Sequence, residues 1–235
     1  MENFNQFGYQ PTGATIAQSL TKAMRGVYLR MTLALIITAV TAFFTAANGS
    51  FVMLLLQNKL LFWGLMIAEL GIVIAMSAAI HKISSATAYL LFIAYSVING
   101  LVFSMLFYAY APEAIAKTFI ITAAVFGAMT VYGYFTTSDL SKMGSFLVMA
   151  LIGLIICTIV NIFLKSSGLD WIISFAGVAI FIGLTAWDTQ KIKNMLVMDG
   201  GMNTSKIATL GALSLYLDFI NLFLYLLRFF GGSRD

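Results

Sequence analysis

The feature that most constrains this chain is a succession of seven apolar runs, each about as long as a bilayer is thick. A membrane-spanning helix needs about 20 consecutive, mostly apolar residues. Transmembrane β-strands would instead alternate polar and apolar positions, and these runs do not. The pattern therefore predicts an all-α, polytopic membrane protein with seven transmembrane helices. The predicted spans cover residues 28–47, 60–80, 87–109, 115–135, 145–165, 171–196 and 207–229.

The composition agrees with a single membrane domain. Of the 235 residues, 61% are hydrophobic and 9% are charged, whereas a soluble domain carries about 25% charged residues. The first 20 or so residues are polar and lack the apolar core of a cleavable signal peptide. We therefore expect a mobile cytoplasmic tail over residues 1–24 and a transmembrane domain over residues 25–235. The connections between spans are too short to hold a soluble domain.

The basic residues predict the orientation of the chain. Lysine and arginine are enriched in cytoplasmic loops, and a cytoplasmic N-terminus places eight of them inside and three outside. Arg228 and Arg234 oppose this pattern, so the last segment either crosses fully or re-enters the membrane. The expected location is a bacterial cytoplasmic (inner) membrane, with the lipid bilayer as partner. The inside set is Lys22, Arg25, Arg30, Lys82, Lys142, Lys191, Lys193 and Lys206, and the outside set is Lys59, Lys117 and Lys165.

Two aspartates, Asp188 and Asp218, each lie inside an almost continuous apolar run. A carboxylate in such a run is costly in lipid and marks a functional position by default. One turn, residues 199–205, separates the two runs, and each aspartate lies roughly 17–20 Å from it along a helix. An antiparallel helical hairpin would therefore hold the two carboxylates at nearly the same depth.

A carboxylate pair at this depth favours two roles. Two close carboxylates in a low dielectric cannot readily both ionise, so the pair is expected to titrate as a unit. Oxygen ligands also suit a hard cation such as Ca²⁺, which makes Asp188 and Asp218 the candidate metal ligands. In the structural alternative, one aspartate pairs with Lys191 or Arg228 while the other caps a helix.

Other polar residues extend the candidate site. Glu69 lies near the middle of the second span, as a cation or proton site or as a structural hydrogen-bonding group. Asn221 follows Asp218 by three residues and shares its helix face. His81 and Lys82 follow the second span and could latch onto a carboxylate or extend to the headgroups. Cys157, the single cysteine, is expected to be a small buried hydrophobe.

Several function classes lack support in the sequence. No zinc spacing, nucleophile triad, P-loop or nucleotide fingerprint is present. The basic residues cluster at the ends of apolar runs, so the pI near 9.2 does not indicate a nucleic-acid partner. An intramembrane aspartyl protease would carry Gly-x-Gly-Asp at its final-helix aspartate, whereas Leu215, Tyr216 and Leu217 precede Asp218. We therefore do not expect an enzyme or a tightly bound cofactor.

Two motifs resemble the final helices of the Bax inhibitor-1 family. Residues 183–193 read Gly-Leu-Thr-Ala-Trp-Asp-Thr-Gln-Lys-Ile-Lys, and residues 213–228 read Leu-Ser-Leu-Tyr-Leu-Asp-Phe-Ile-Asn-Leu-Phe-Leu-Tyr-Leu-Leu-Arg. The resemblance implies a last helix wrapped by the other six, and a pH-sensitive Ca²⁺ leak whose proton sensor is the pair Asp188 and Asp218. It also implies a basic latch on the second span. The arginine expected there is missing, and His81 or Lys82 takes its place.

The leading hypothesis is a calcium leak channel gated by H⁺ at the aspartate pair, with Ca²⁺ as the transported ion. The alternative is a regulator that binds another membrane protein, such as a protease or a cell-death factor, without transport of its own. The polar tail, residues 1–18, would be its natural contact.

Overall fold

The computed structural model describes residues 13–199 and 203–231, and over those ranges the chain forms nine helices. Seven are long and apolar enough to cross a membrane, counting α4 and α5 together as one span. The all-α, seven-span architecture is therefore confirmed. The helices are α1 (Gly13–Asn48), α2 (Ser50–Gln57), α3 (Lys59–Ala79), α4 (Ser85–Phe103), α5 (Leu106–Ala109), α6 (Pro112–Phe135), α7 (Ser141–Leu164), α8 (Ser167–Asp199) and α9 (Thr204–Phe230).

Helix α1 begins earlier than the apolar run that predicts it. Its 36 residues extend about 54 Å, and they include the second half of the predicted polar tail. Met24 and Val27 are buried against the rest of the bundle. Packing of this face therefore stabilises the helix in a segment that is less apolar than the span itself. Residues 1–12 lie outside the described residues.

A short helix that the sequence analysis does not predict, α2, joins the first two spans. Gly49 starts it with a φ of 68°, a left-handed conformation that glycine adopts without a steric cost. Val52 and Leu55 are buried three residues apart on one face. The connection therefore packs on the bundle and is not a free loop.

Helix α9 is the central helix of the bundle, as the resemblance implies. In its most apolar stretch 67% of the residues are buried, compared with 11% in both α3 and α7. It packs mainly against α1, α4, α6 and α8, whereas α3 packs mainly on α4 and α7 mainly on α8. Four helices therefore make most of the contacts with α9, whereas the resemblance implies that six surround it.

The last helix also has the length of a full crossing. Its 27 residues form one continuous helix of about 40 Å, longer than the hydrocarbon core of a bilayer, about 30 Å. This continuity favours the crossing alternative over re-entry.

Aromatic and hydroxyl groups fix α9 beside the aspartate that it carries. The Tyr216 side chain is fully buried, and its hydroxyl lies 2.6 Å from the Thr38 hydroxyl of α1. Phe92 and Tyr95 of α4 pack edge-on against the Tyr216 ring. Because these contacts come from two helices, they define the rotation of α9 two residues before Asp218.

Cys157 does not occupy the core. Its side chain is exposed on the outer face of α7, so the prediction of a buried position was wrong. Helix α7 is apolar on nearly all faces, and hydropathy alone does not distinguish its lipid-facing side from its packed side.

Candidate functional site

A cavity of about 650 Å³ lies beside the α8–α9 hairpin, with α3 and α7 on its flanks. Three carboxylates line it, from Glu69 on α3, Asp188 on α8 and Asp218 on α9. Asn221, Tyr95 and Lys191 supply further polar groups, and leucine, isoleucine, valine, methionine and aromatic side chains form most of the remaining wall. The cavity thus combines acidic groups with a largely apolar surround.

The turn between α8 and α9 sets the register of the two aspartates. The carboxylate of Asp199, the last residue of α8, accepts hydrogen bonds from the Asn203 backbone N–H, at 3.0 and 2.7 Å to its two oxygens, and from the Thr204 hydroxyl at 3.3 Å. Arg30 of α1 fastens the same end by donating to the Ser205 carbonyl oxygen at 2.6 Å. These contacts hold the end of α8 next to the start of α9, and the two helices bring both aspartates into one cavity.

Asp218 is the more enclosed member of the pair. Asp218 is only 5% exposed. Its Oδ2 atom is buried and has no hydrogen-bond partner among the described residues. Asp188 lines the same cavity from α8, so the two carboxylates are neighbours on adjacent helices. A buried carboxylate without a partner is costly whenever it is ionised, which makes its charge state sensitive to its surroundings.

Asp188 has a cation beside it. The Lys191 ammonium lies 3.9 Å from Asp188 Oδ1, with side-chain exposures of 48% and 13% respectively, and 4.6 Å from the centre of the Trp187 ring. The structural alternative is therefore realised in part, because Asp188 pairs with Lys191. Asp218 lies in the middle of α9 and caps no helix, while Arg228 pairs instead with Asp170 at 3.2 Å.

Glu69 and Asn221, the other two predicted site residues, also line the cavity. The Glu69 residue is 8% exposed, and its Oε1 atom has no hydrogen-bond partner. The Asn221 amide donates to the Leu217 carbonyl oxygen of its own helix at 2.8 Å. Asn221 therefore lines the cavity but does not orient the Asp218 carboxylate through that amide.

The structure does not bring the predicted latch residues to the aspartates. His81 and Lys82 lie in the exposed turn after α3, and neither lines the cavity. His81 follows Glu69 by 12 positions along α3 and that turn, which corresponds to roughly 18 Å of helix. The cation that lies beside the pair is Lys191.

The three carboxylates do not form a compact metal cage. Ca²⁺ takes about six to eight oxygen ligands. Among the residues that the structure describes, no group of three or more histidine, cysteine, aspartate or glutamate side chains is close enough to hold an ion. A metal role for Asp188 and Asp218 therefore stays a prediction.

Two residues of the α8 motif fasten a neighbouring loop, a role that the sequence analysis missed. Gln190 accepts a hydrogen bond from the Leu140 N–H and donates to the Ser138 carbonyl oxygen, both at 2.9 Å. The Lys193 ammonium donates to the Tyr134 carbonyl oxygen at 2.8 Å. The sequence signal that could have indicated this role is the presence of two polar side chains within a largely apolar motif. Two residues after Asp188, Gln190 joins α8 to the α6–α7 connection; five residues after it, Lys193 joins α8 to the last turn of α6.

Comparison with known proteins shows which family the chain resembles. A family model described as "Inhibitor of apoptosis-promoting Bax1" matches residues 20–235. The chain is 48% identical over 214 residues to "Inner membrane protein YbhL" of Escherichia coli K12, covering 90% of this chain and 92% of that protein. A protein of Borreliella burgdorferi is 45% identical over 216 residues, covering 91% and 93%. A protein of Rickettsia prowazekii, RP147, is 44% identical over 224 residues, covering 94% of each chain. These matches extend over nearly the whole transmembrane domain, and the chain belongs to the Bax inhibitor-1 family.

Proposed function

We propose that this protein is a cation leak pathway, favouring Ca²⁺, whose open fraction depends on protonation of Asp188 and Asp218. The observation that carries the proposal is the enclosure of both carboxylates in one cavity, with Asp218 Oδ2 lacking any partner. Glu69 and Asn221 complete the proposed pathway as further oxygen-bearing groups.

The proposed switch follows from the repulsion between like charges in a low dielectric. Two neighbouring carboxylates that are both ionised repel one another strongly, and one bound proton removes that repulsion. Because the carboxylates belong to different helices, loss of the proton or entry of a cation changes the force between α8 and α9. A change in proton occupancy thereby becomes a change in helix separation.

The direct test is calcium flux across vesicles that contain the purified full-length chain, measured over a range of pH. We expect flux above that of protein-free vesicles, and we expect it to change as the pair titrates. Flux equal to that of empty vesicles would refute the leak, whereas flux without pH dependence would refute only the proton sensor.

The position of Lys191 leads to a separate prediction. Lys191→Gln removes the cation that lies 3.9 Å from Asp188 and leaves the carboxylates as the only charged groups that line the cavity. We expect calcium flux to rise about two- to five-fold, the range that corresponds to a partly exposed ion pair. Lys191→Arg, which retains the charge, is the matched control. Equal flux in all three proteins would show that Lys191 does not compete with the transported ion.

We also propose that the N-terminus faces the cytoplasm of a bacterium. The distribution of basic residues supports this orientation, and the E. coli relative is described as an inner membrane protein. In a Cys157→Ala background, an impermeant maleimide applied to intact cells is expected to label Glu113→Cys and not Lys142→Cys. The reverse labelling pattern would invert the topology.

A further inference from the structure

A second groove lies between α1 and α6, on the side of the bundle where α1 begins. Its volume is about 460 Å³. Helix α1 packs on α4, α8 and α9, and α6 packs on α8 and α9. The groove is the space left between α1 and α6, because each packs mainly on these other helices. This groove is separate from the aspartate cavity and shares none of its lining residues.

The groove contains two buried hydroxyl groups whose hydrogen bonding is incomplete. The Thr130 hydroxyl has no hydrogen-bond partner among the described residues, and the Tyr28 hydroxyl has only the Thr189 side chain of α8 beside it. Both residues line the groove from opposite sides, one from α1 and one from α6. Buried polar groups are nearly always hydrogen-bonded, so the pair indicates a ligand that supplies acceptors between the two helices.

The groove changes from basic to apolar along the membrane normal. Arg25 lies at its end, three residues before the first apolar run begins, and is exposed. Arg25 forms no ion pair within the described residues, and no acidic residue lines the groove there. The outer wall is formed by Leu29, Val131 and Phe135, which are 60%, 57% and 72% exposed.

We propose that this groove is a binding site for an anionic phospholipid of the leaflet at the N-terminal end of α1. A phosphate group fits the Arg25 guanidinium, which binds phosphate through paired hydrogen bonds. The ester oxygens then accept hydrogen bonds from the Tyr28 and Thr130 hydroxyls. One acyl chain covers the apolar wall, as expected for lipid-binding pockets between transmembrane helices that combine basic and apolar groups.

The test is native mass spectrometry of the full-length protein after equilibration with equimolar phosphatidylglycerol and phosphatidylethanolamine. The wild type is expected to retain the anionic lipid in preference to the zwitterionic one. Arg25→Gln is expected to reduce that retention about ten-fold, as for loss of a charged hydrogen bond. Lys142→Gln removes an exposed charge at the same side of the bundle and is expected to leave retention unchanged.

A second variant separates binding from folding. Thr130→Val removes an unpaired buried hydroxyl at nearly constant volume, so the lipid-free protein is expected to melt at an equal or higher temperature. Its retention of phosphatidylglycerol is expected to fall about three-fold because one donor is lost. Equal retention of both lipids by the wild type, or unchanged retention by Arg25→Gln, would overturn the proposal.

Discussion

Asp218→Asn is expected to abolish the pH dependence of calcium flux in proteoliposomes, so that the ratio of flux in mildly acidic and mildly alkaline buffer falls to about one. The amide has nearly the shape of the protonated acid but cannot release a proton. Asp218 is the carboxylate with a buried oxygen that lacks a partner, so its ionisation has the largest effect on the α8–α9 contact. The variant flux should equal that of the wild type in acid, whichever direction the wild type responds.

Asp188→Asn is expected to have the same effect, because the proposed switch is the repulsion between two ionised carboxylates, and this variant removes the charge that repels Asp218 across the two helices. The matched control is Asp170→Asn, which alters an exposed aspartate of the same helix that pairs with Arg228 and does not line the cavity. The control should keep the full pH response. If both Asp188→Asn and Asp218→Asn retain it as well, the pair is not the sensor.

Gly133→Ala is expected to destabilise the protein by about 3 kcal/mol, the upper range for overpacking of a well-packed contact. A Cβ atom at Gly133 on α6 would clash with the carbonyl oxygen of Ala186 on α8. A backbone atom cannot rotate away as a side chain does, so the two helices would have to separate. The displaced segment of α8 lies two residues before Asp188, so calcium flux is expected to change as well.

Gly127→Ala is the matched control on the same helix. A Cβ atom there would meet nothing within 4 Å, so the substitution removes only the conformational penalty of a helical glycine, about 1 kcal/mol. Thermal unfolding in detergent is expected to show a lower midpoint for Gly133→Ala and an equal or higher one for Gly127→Ala. Equal midpoints would show that α6 and α8 are not held at this contact.

The sequence was sufficient to predict the seven spans and to place the two aspartates near one another on the last two helices. Hydropathy determines which segments lie in lipid, and the distance of Asp188 and Asp218 from the α8–α9 turn determines their depth. It was also sufficient to associate Lys191 with Asp188, because residues three positions apart share a helix face.

Other features depended on contacts between distant segments. The latch prediction assumed that a basic residue of the second span lies near the aspartate pair. His81 and Lys82 instead lie in the exposed turn after α3 and do not line the cavity. The outward position of Cys157 could not be read from a helix that is apolar on every side. The short helix α2 depends on the burial of Val52 and Leu55, and its eight residues are below the length at which a helix is stable alone.

The peripheral attachment of α3 and α7 has a mechanical consequence. Each leans mainly on one neighbour, and together they flank the aspartate cavity. We therefore expect that either helix can tilt while the contacts of α9 with its four main neighbours stay in place. Tilt is the usual response of a helix to a bilayer thinner or thicker than its apolar length, so we expect the thickness of the surrounding membrane to change the width of the acidic cavity.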